Sequence, residues 1–315
     1  MRKLQNLIIQ KVKTKMRNKI YFIYILIFSI SFAKKDFLQP YILAGETGTS
    51  VQETISSIKK SFFMKDQIEI IGEYNPKLEN EGHILILSNS NIDKAVELGN
   101  DFSAISSIFR LAVFKNGRQT YISYQNPHYW GNLYFQDKYN SIKEYLNKFE
   151  KQLKNSLPKM RGVFYQQYGS HQNFSDKDLQ NYHYMFGMEY FNDNILLGKF
   201  DSYKDAILTI ENNFSNSTNS NKVFEKEFKN EKIKIYGVEL SGNKGENHFM
   251  PIIDISKYSH LACLPYEIIV IKNKVFMLHG RFRIAASFPD LTMVTFGKIM
   301  STPADIEKQL KKLTH

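Results

Sequence analysis

Toward the C-terminus the chain gathers soft donors: His248, Met250, His260 and Cys263, with Met277 and His279 a little further on. Imidazole, thioether and thiolate together suit Cu(I), so a periplasmic soft-metal (copper) binding protein is one chemical reading. The plainer reading makes His248 a strand-edge residue matched by His83, Met250 and Met277 core fillers, and Cys263 a buried small hydrophobe. A second set is aromatic. "NPHYWGNLYF" (126–135) and "NYHYMFGMEYF" (181–191) place Tyr129, Trp130, Tyr134, His183, Tyr184 and Met185 in segments that read as loop or linker. Amphipathic rings of this kind line a ligand cleft at a domain junction or cement two packed units together. A third reading is an enzyme whose site lies at that junction, around His183 and Glu189.

The usual catalytic signatures are missing. "GETGTS" (45–50) lacks the lysine of a phosphate-binding loop and leads into a capped helix, so it reads as a strand-to-helix turn. "YGSHQ" (168–172) has no second glycine to make a nucleophile elbow. Neither a His-x-x-x-His helix nor a paired-cysteine site occurs. No catalytic residue is therefore assigned. The leading reading is a non-catalytic binding or interaction protein, its partner a small molecule or another protein.

Location is read from the N-terminus. Arg2, Lys3, Lys11, Lys13, Lys15, Arg17 and Lys19 precede the apolar run Ile20 to Phe28 and then "SISFA", with Ser31 and Ala33 as small residues before a cleavage point. This is the pattern of a signal peptide over residues 1–33, placing the mature chain in the periplasm or outside the cell. The apolar run is shorter than the roughly 20 residues that span a bilayer, so the membrane is contacted only through the export signal, cleaved or retained as an anchor. The chain has 42 basic and 31 acidic residues. Setting aside the seven basic side chains of the signal leaves 35 against 31, a balance of +4 that gives no footprint for nucleic acid. The single cysteine, Cys263, excludes an intrachain disulfide.

The elements that must position these residues come in two sets. "SVQETISSIKKSF" (50–62) is paraphrased by "SYKDAILTIENNF" (202–214): Val51, Ile55, Ile58, Phe62 and Tyr203, Ile207, Ile210, Phe214 each form one helical stripe, capped by Ser50 with Glu53 and by Ser202 with Asp205. The strands "IEIIG" (68–72) and "IKIYG" (233–237) follow, and a histidine, His83 or His248, comes eleven residues past each glycine. Apolar strands "ILIL" and "FMPII", a short helix from Ser90 or Ser256, and a hairpin with "KN" at its turn come next, Asn116-Gly117 giving a type I′ signal. After Pro127 or Pro289 each half closes on a helix, striped by Ile142, Leu146, Phe149 and Leu153, or by Ile306, Leu310 and Leu313 behind an N-cap at Thr302.

This order predicts a tandem duplication: copies at 37–155 and 194–315, each a two-layer β-α-β-β-α-β-β-α sandwich of α/β (α+β) class. The polar "NNFSNSTNSNK" (212–222) reads as a mobile inserted loop. Residues 156–193 read as an aromatic connector, with a helix from Ser175 to about Phe186, packed across both copies. The order of helix, strand, Asn75-Pro76, short helix, paired strands and Asn126-Pro127 resembles the bacterial domain of unknown function 302. That family typically carries Leu-Pro-Cys before the first hairpin strand, where this chain has Leu264-Pro265-Tyr266 and Ser107-Ile108-Phe109. The resemblance implies a fold and no reaction. Its single domains are thought to pair, which implies a monomer with an internal pseudo-dimer. Hairpin alignment then sets Arg110 against Glu267 across a pseudo-twofold axis, and the two are expected to touch.

Overall fold

A computed structural model describes residues 37–78 and 81–315. The signal-peptide reading of residues 1–33 lies outside them. Among the described residues no helix is long and apolar enough to cross a membrane.

The first half begins with β1 (Tyr41–Thr47) and α1 (Val51–Lys65). Ser50 and Glu53 form the expected capping box, Val51, Ile55, Ile58 and Phe62 are buried, and Asp66 ends the helix at φ 47°. There follow β2 (Glu69–Tyr74), β3 (Gly82–Ser88), α2 (Ser90–Val96), a 3-10 segment (Asp101–Ser107), β4 (Phe109–Asn116), β5 (Gln119–Gln125), α3 (Pro127–Phe135) and α4 (Tyr139–Ser156). A connector supplies β6 (Gly162–Tyr168) and α5 (Asp176–Gln180). The second half runs β7 (Ile195–Lys199), α6 (Tyr203–Asn216), β8 (Ser220–Phe228), β9 (Ile233–Leu240), α7 (Glu246–Ile253) and a 3-10 turn (Leu261–Cys263). It then adds β10 (Tyr266–Ile271), β11 (Lys274–Met277), α8 (Gly280–Ser287), α9 (Met293–Lys298) and α10 (Thr302–Lys311).

The fold is α+β, with two sheets that are antiparallel throughout. Their strand orders are β2-β3-β4-β5-β1-β6 and β8-β9-β10-β11-β7. Without β6, which the connector lays along the free edge of β1, the two orders correspond strand for strand.

Element assignments in the second half differ from the sequence reading by one step. "IKIYG" lies in β9, the counterpart of β3, and "FMPII" is helix α7. The supposed loop 212–222 is the end of α6 and the start of β8. Short apolar runs do not distinguish strand from buried helix, and β8, with two lysines and two glutamates, has the polarity expected of an edge strand. Both hairpin turns are also shifted. Asn116 pairs with Gln119 and Ile271 with Lys274, so the central pairs are Gly117-Arg118 and Lys272-Asn273. Only the first of each has positive φ, 61° and 55°, which is the type II′ pattern. Thr302 is the first helical residue of α10, with Ser301 before it, and α5 stops at Gln180 behind a Ser175–Asp178 capping box.

Strands β4 and β10 are buried on both faces except at the outer end of β4, which is why "LAVF" and "IIVI" read as unbroken apolar runs. α1 lies on β3 and β4, and α6 on β8, β10 and β11. The remaining cover is reciprocal. The second half's 3-10 turn packs on β3, β4 and β5, while the first half's 3-10 segment packs on β9 and β10. Gly72 lets edge strands β2 and β8 come together, since a Cβ there would lie 2.5 Å from the carbonyl oxygen of Val223.

Phe109 stacks on Phe149 of α4 at 4.5 Å, so alternation along the strand turns Arg110 toward the other half. There its guanidinium meets Glu267, as the hairpin alignment anticipates, with side-chain exposures of 1% and 3%. Arg283 of α8 takes the second carboxylate oxygen at 2.8 Å. The surplus positive charge rests on neutral acceptors. Arg283 Nη2 donates to the carbonyls of Cys263 (2.6 Å) and Pro265 (2.7 Å), and Arg110 Nη1 donates to Gln125 Oε1 (3.3 Å). Arg283 also lies 4.2 Å above the Tyr266 ring, a favourable cation–π arrangement.

The three charges are not equivalent. Replacing Glu267 by Gln leaves two buried cations facing each other, with an expected cost at or above the ~3–5 kcal/mol of a broken buried pair. Arg110→Met leaves a neutral Glu267–Arg283 pair and is expected to cost about 1–3 kcal/mol through its orphaned acceptors. Urea denaturation of both variants checks the order; an Arg110→Met loss equal to or larger than that of Glu267→Gln refutes it.

Candidate functional site

One cleft lies where the halves meet. One wall is the tip of the β4–β5 hairpin (Phe114, Lys115, Asn116, Gly117), and the other is the end of α7 with the loop after it (Met250, Pro251, Asp254 to Lys257, Ser259, Leu261). Its volume is ≈ 360 Å³, toward the small end of ligand sites. Asn116 Nδ2 donates to the carbonyl of Lys257 at 2.6 Å and ties the walls together. Leu78, Phe114, Met250 and Leu261 give it apolar lining, and Glu81, Lys115 and Lys257 add charged groups.

The loop wall is shaped by Asp254, a half-buried residue directly after α7. Its Oδ1 accepts the His260 amide at 2.9 Å and its Oδ2 accepts the Ser259 hydroxyl. Burial raises the carboxyl's pKa, and the contacts to His260 and Ser259 offset part of that rise. His260 itself is pushed down by burial, against the pull of Asp254. Its Nδ1 donates to the carbonyl of Ser287 (3.0 Å), while Nε2 has no protein partner. Burial raises the Cys263 thiol well above its ordinary range, so it stays protonated at neutral pH. Asp254 and His260 are thus engaged in holding the loop, and the Cys263 thiol is buried beneath it.

Of the soft-donor set, the structure joins only Met250 and Cys263, with Sγ to Sδ at 3.8 Å. His248 is exposed on α7 rather than on a strand edge, and His260 is engaged with Ser287. Met277 is buried on β11, and His279 lies 3.5 Å from Glu189. Among the described residues no group of three or more His, Cys, Asp or Glu side chains could hold a metal.

The aromatic set also divides. Tyr129, Trp130 and Tyr134 are buried in α3, not in a loop. Tyr129 donates to the carbonyl of Ala286 (3.0 Å) and Trp130 Nε1 to that of Pro40 (2.9 Å). His183 stacks on Tyr190 at 4.4 Å, Tyr184 donates to the carbonyl of Leu291, and Met185 is exposed. Glu189 faces Arg281 at 3.3 Å, with no hydrogen bond to His183. Tyr129 thus ties α3 to α8, and Tyr184 ties the connector to the segment after α8. The last carbonyls of a helix lack intrahelical partners, and here Ala285 accepts from Tyr182 (3.0 Å), Ala286 from Tyr129, and Ser287 from Tyr41 (3.2 Å) and His260.

Sequence reasoning missed the aromatic row beside the cleft. Phe114, Tyr121, Tyr258, Tyr168 and Tyr41 follow one another with centroids 5.4 to 5.8 Å apart, and the row ends on His260. The usable signal was the alternation of Tyr121 with buried residues in β5. It missed Glu246 as well, a buried carboxyl at the start of α7. Oε2 accepts from Tyr74 of the first half (3.2 Å) and Oε1 from the Leu240 amide (3.2 Å).

No family model and no curated protein matches the chain. Among solved structures it is similar to the crystal structure of the uncharacterized conserved protein DUF302 from Bacillus stearothermophilus, at 17% identity and a TM-score of 0.31. The likeness covers 36% of this chain and 91% of that one.

Burial pushes Glu246 up to about 8 from the ordinary carboxyl value of 4.5. The folded state therefore holds a proton that the unfolded state has released between those two values, and stability falls as pH rises through that window. Glu246→Gln is expected to match the wild-type melting temperature near its ordinary pKa and to exceed it above about pH 8. Equal slopes of melting temperature against pH in the two proteins rule this out. Trp130, the only tryptophan, is 3% exposed. Its emission is expected to be blue-shifted and insensitive to acrylamide; ready quenching in the native protein contradicts the packing described.

Proposed function

We propose that this chain is an extracytoplasmic, non-catalytic binding protein made of two fused copies of one unit, each resembling the domain of unknown function 302. The copies at 37–155 and 194–315 form an internal pseudo-dimer, and a small molecule or a segment of a partner protein binds in the seam cleft. Matching strand orders, reciprocal packing of the 3-10 segments and the Arg110–Glu267 contact support the two-copy reading. A cleft with one wall from each copy, bridged by Asn116 and Lys257, carries the binding reading. The basic and apolar N-terminus supports export.

Native mass spectrometry of protein recovered from the secreted fraction tests both halves of the proposal. The expected result is a chain shortened at Ala33 with a co-purifying species that is lost in Ser256→Trp, a substitution on the exposed cleft wall. A load unchanged by that substitution removes the cleft from the proposal, and failure to find the protein outside the cytoplasm removes the location.

A further inference from the structure

One face of the second half is apolar, and no part of the described chain covers it. The connector turn presents Phe186, fully exposed at 100%, beside Met185. Gly187, at φ 81°, and a hydrogen bond from the Met188 amide to the Met185 carbonyl close that turn. Next to it α9 presents Met293 at 55% and Val294 at 78%, and no residue of α9 is buried. Tyr184 and Met188 of the connector line a crevice with Met293 and Phe296 of α9, so the two segments make one surface. Unpartnered apolar surface of this kind marks an interaction site.

We infer that this face lies against a lipid bilayer. Two features favour lipid over a protein partner. First, the residues stand out as tips, and the crevice between the segments has a volume of only ≈ 20 Å³. A partner side chain has no recess to enter, whereas fluid acyl chains need none. Long side chains with polar ends surround the tips, Arg281 and Lys298 among them, and can keep their charges at the headgroup level. Glu189, the acidic group beside Arg281, is already paired with it.

Second, the chain enters the domain beside this face. The Leu38 amide bonds to the carbonyl of Phe174 at 2.8 Å, and Phe174 borders a shallow groove whose other end is His183 and Tyr184. The apolar run Ile20 to Phe28 ends nine residues before Phe37. A basic and apolar leader of that kind engages a membrane whether or not it is later removed. This inference stands apart from the seam cleft and adds a second membrane contact to the leader itself.

The test uses the full chain mixed with vesicles of phosphatidylcholine and phosphatidylglycerol. Phe186→Cys and Val294→Cys carry an environment-sensitive fluorophore, and Phe63→Cys, exposed at 87% on α1, serves as the control. Cys263 is buried and stays in place. The labels at 186 and 294 are expected to shift to the blue and to be quenched by nitroxide-labelled acyl chains, with little change at 63. A second measurement is flotation with the same vesicles. If the leader is removed from the purified protein, the Phe186→Glu/Val294→Glu variant is expected to lose vesicle binding at least about tenfold, by analogy with charge placed on a lipid-facing surface. Quenching at 186 no greater than at 63 overturns the inference. So does shielding of residue 186 without vesicles together with a doubled mass in light scattering, which assigns the face to a second copy of the chain.

Discussion

A carboxylate that holds two guanidiniums out of water is the contact on which the joining of the two halves depends. Glu267 sits between Arg110 and Arg283, all three nearly inaccessible, and a buried charge is tolerable only where partners and hydrogen bonds compensate it. Arg110 comes from one sheet, while Glu267 and the carbonyls of Cys263 and Pro265 come from the other half. Neither half can bury its part of the cluster alone. An identical pair of domains about a twofold axis would set like residue against like at these positions. One chain with two different sequences can set Arg against Glu.

The same dependence runs through the apolar packing. Each sheet has one face under its own helices and part of the other under its sibling's 3-10 segment. Strands covered on both faces are continuous in hydrophobicity, and those at the margins, such as β8, are charged. The seam cleft opens where this mutual cover stops, at the hairpin tip on one side and the Asp254 loop on the other. Its lining mixes apolar side chains with charged ones, as befits a place where two cores reach solvent.

Much of the architecture was legible in the sequence, because it is written in long periodic segments. The stripes of α1 and α4, the capping boxes at Ser50 and Ser175, the two hairpins and the facing of Arg110 and Glu267 follow from period and alignment. The slip in the second half came from one numerical coincidence. His83 and His248 both lie eleven residues past a glycine, yet His83 is on β3 and His248 on α7. Once "FMPII" was taken for a strand, His248 was placed on a strand edge. The connector aromatics were read as a group because they are close in sequence, but α3 turns Tyr129 and Trp130 inward while the 183–188 turn faces outward. The aromatic row ending on His260 is drawn from β1, β4, β5, β6 and the loop after α7, and beyond the alternation that marks Tyr121 no sequence spacing reveals such a convergence.

Helix α8 ends on carbonyls that receive their hydrogen bonds from Tyr182 in the connector, Tyr129 in α3 and Tyr41 in β1, all earlier in the chain. Synthesis proceeds from the N-terminus, and domains fold largely in that order. The residues whose hydroxyls stop this helix are therefore synthesised before the helix itself. The direction of translation thus delivers the caps before the helix they close, an order that a pair of separate chains meeting in solution would lack.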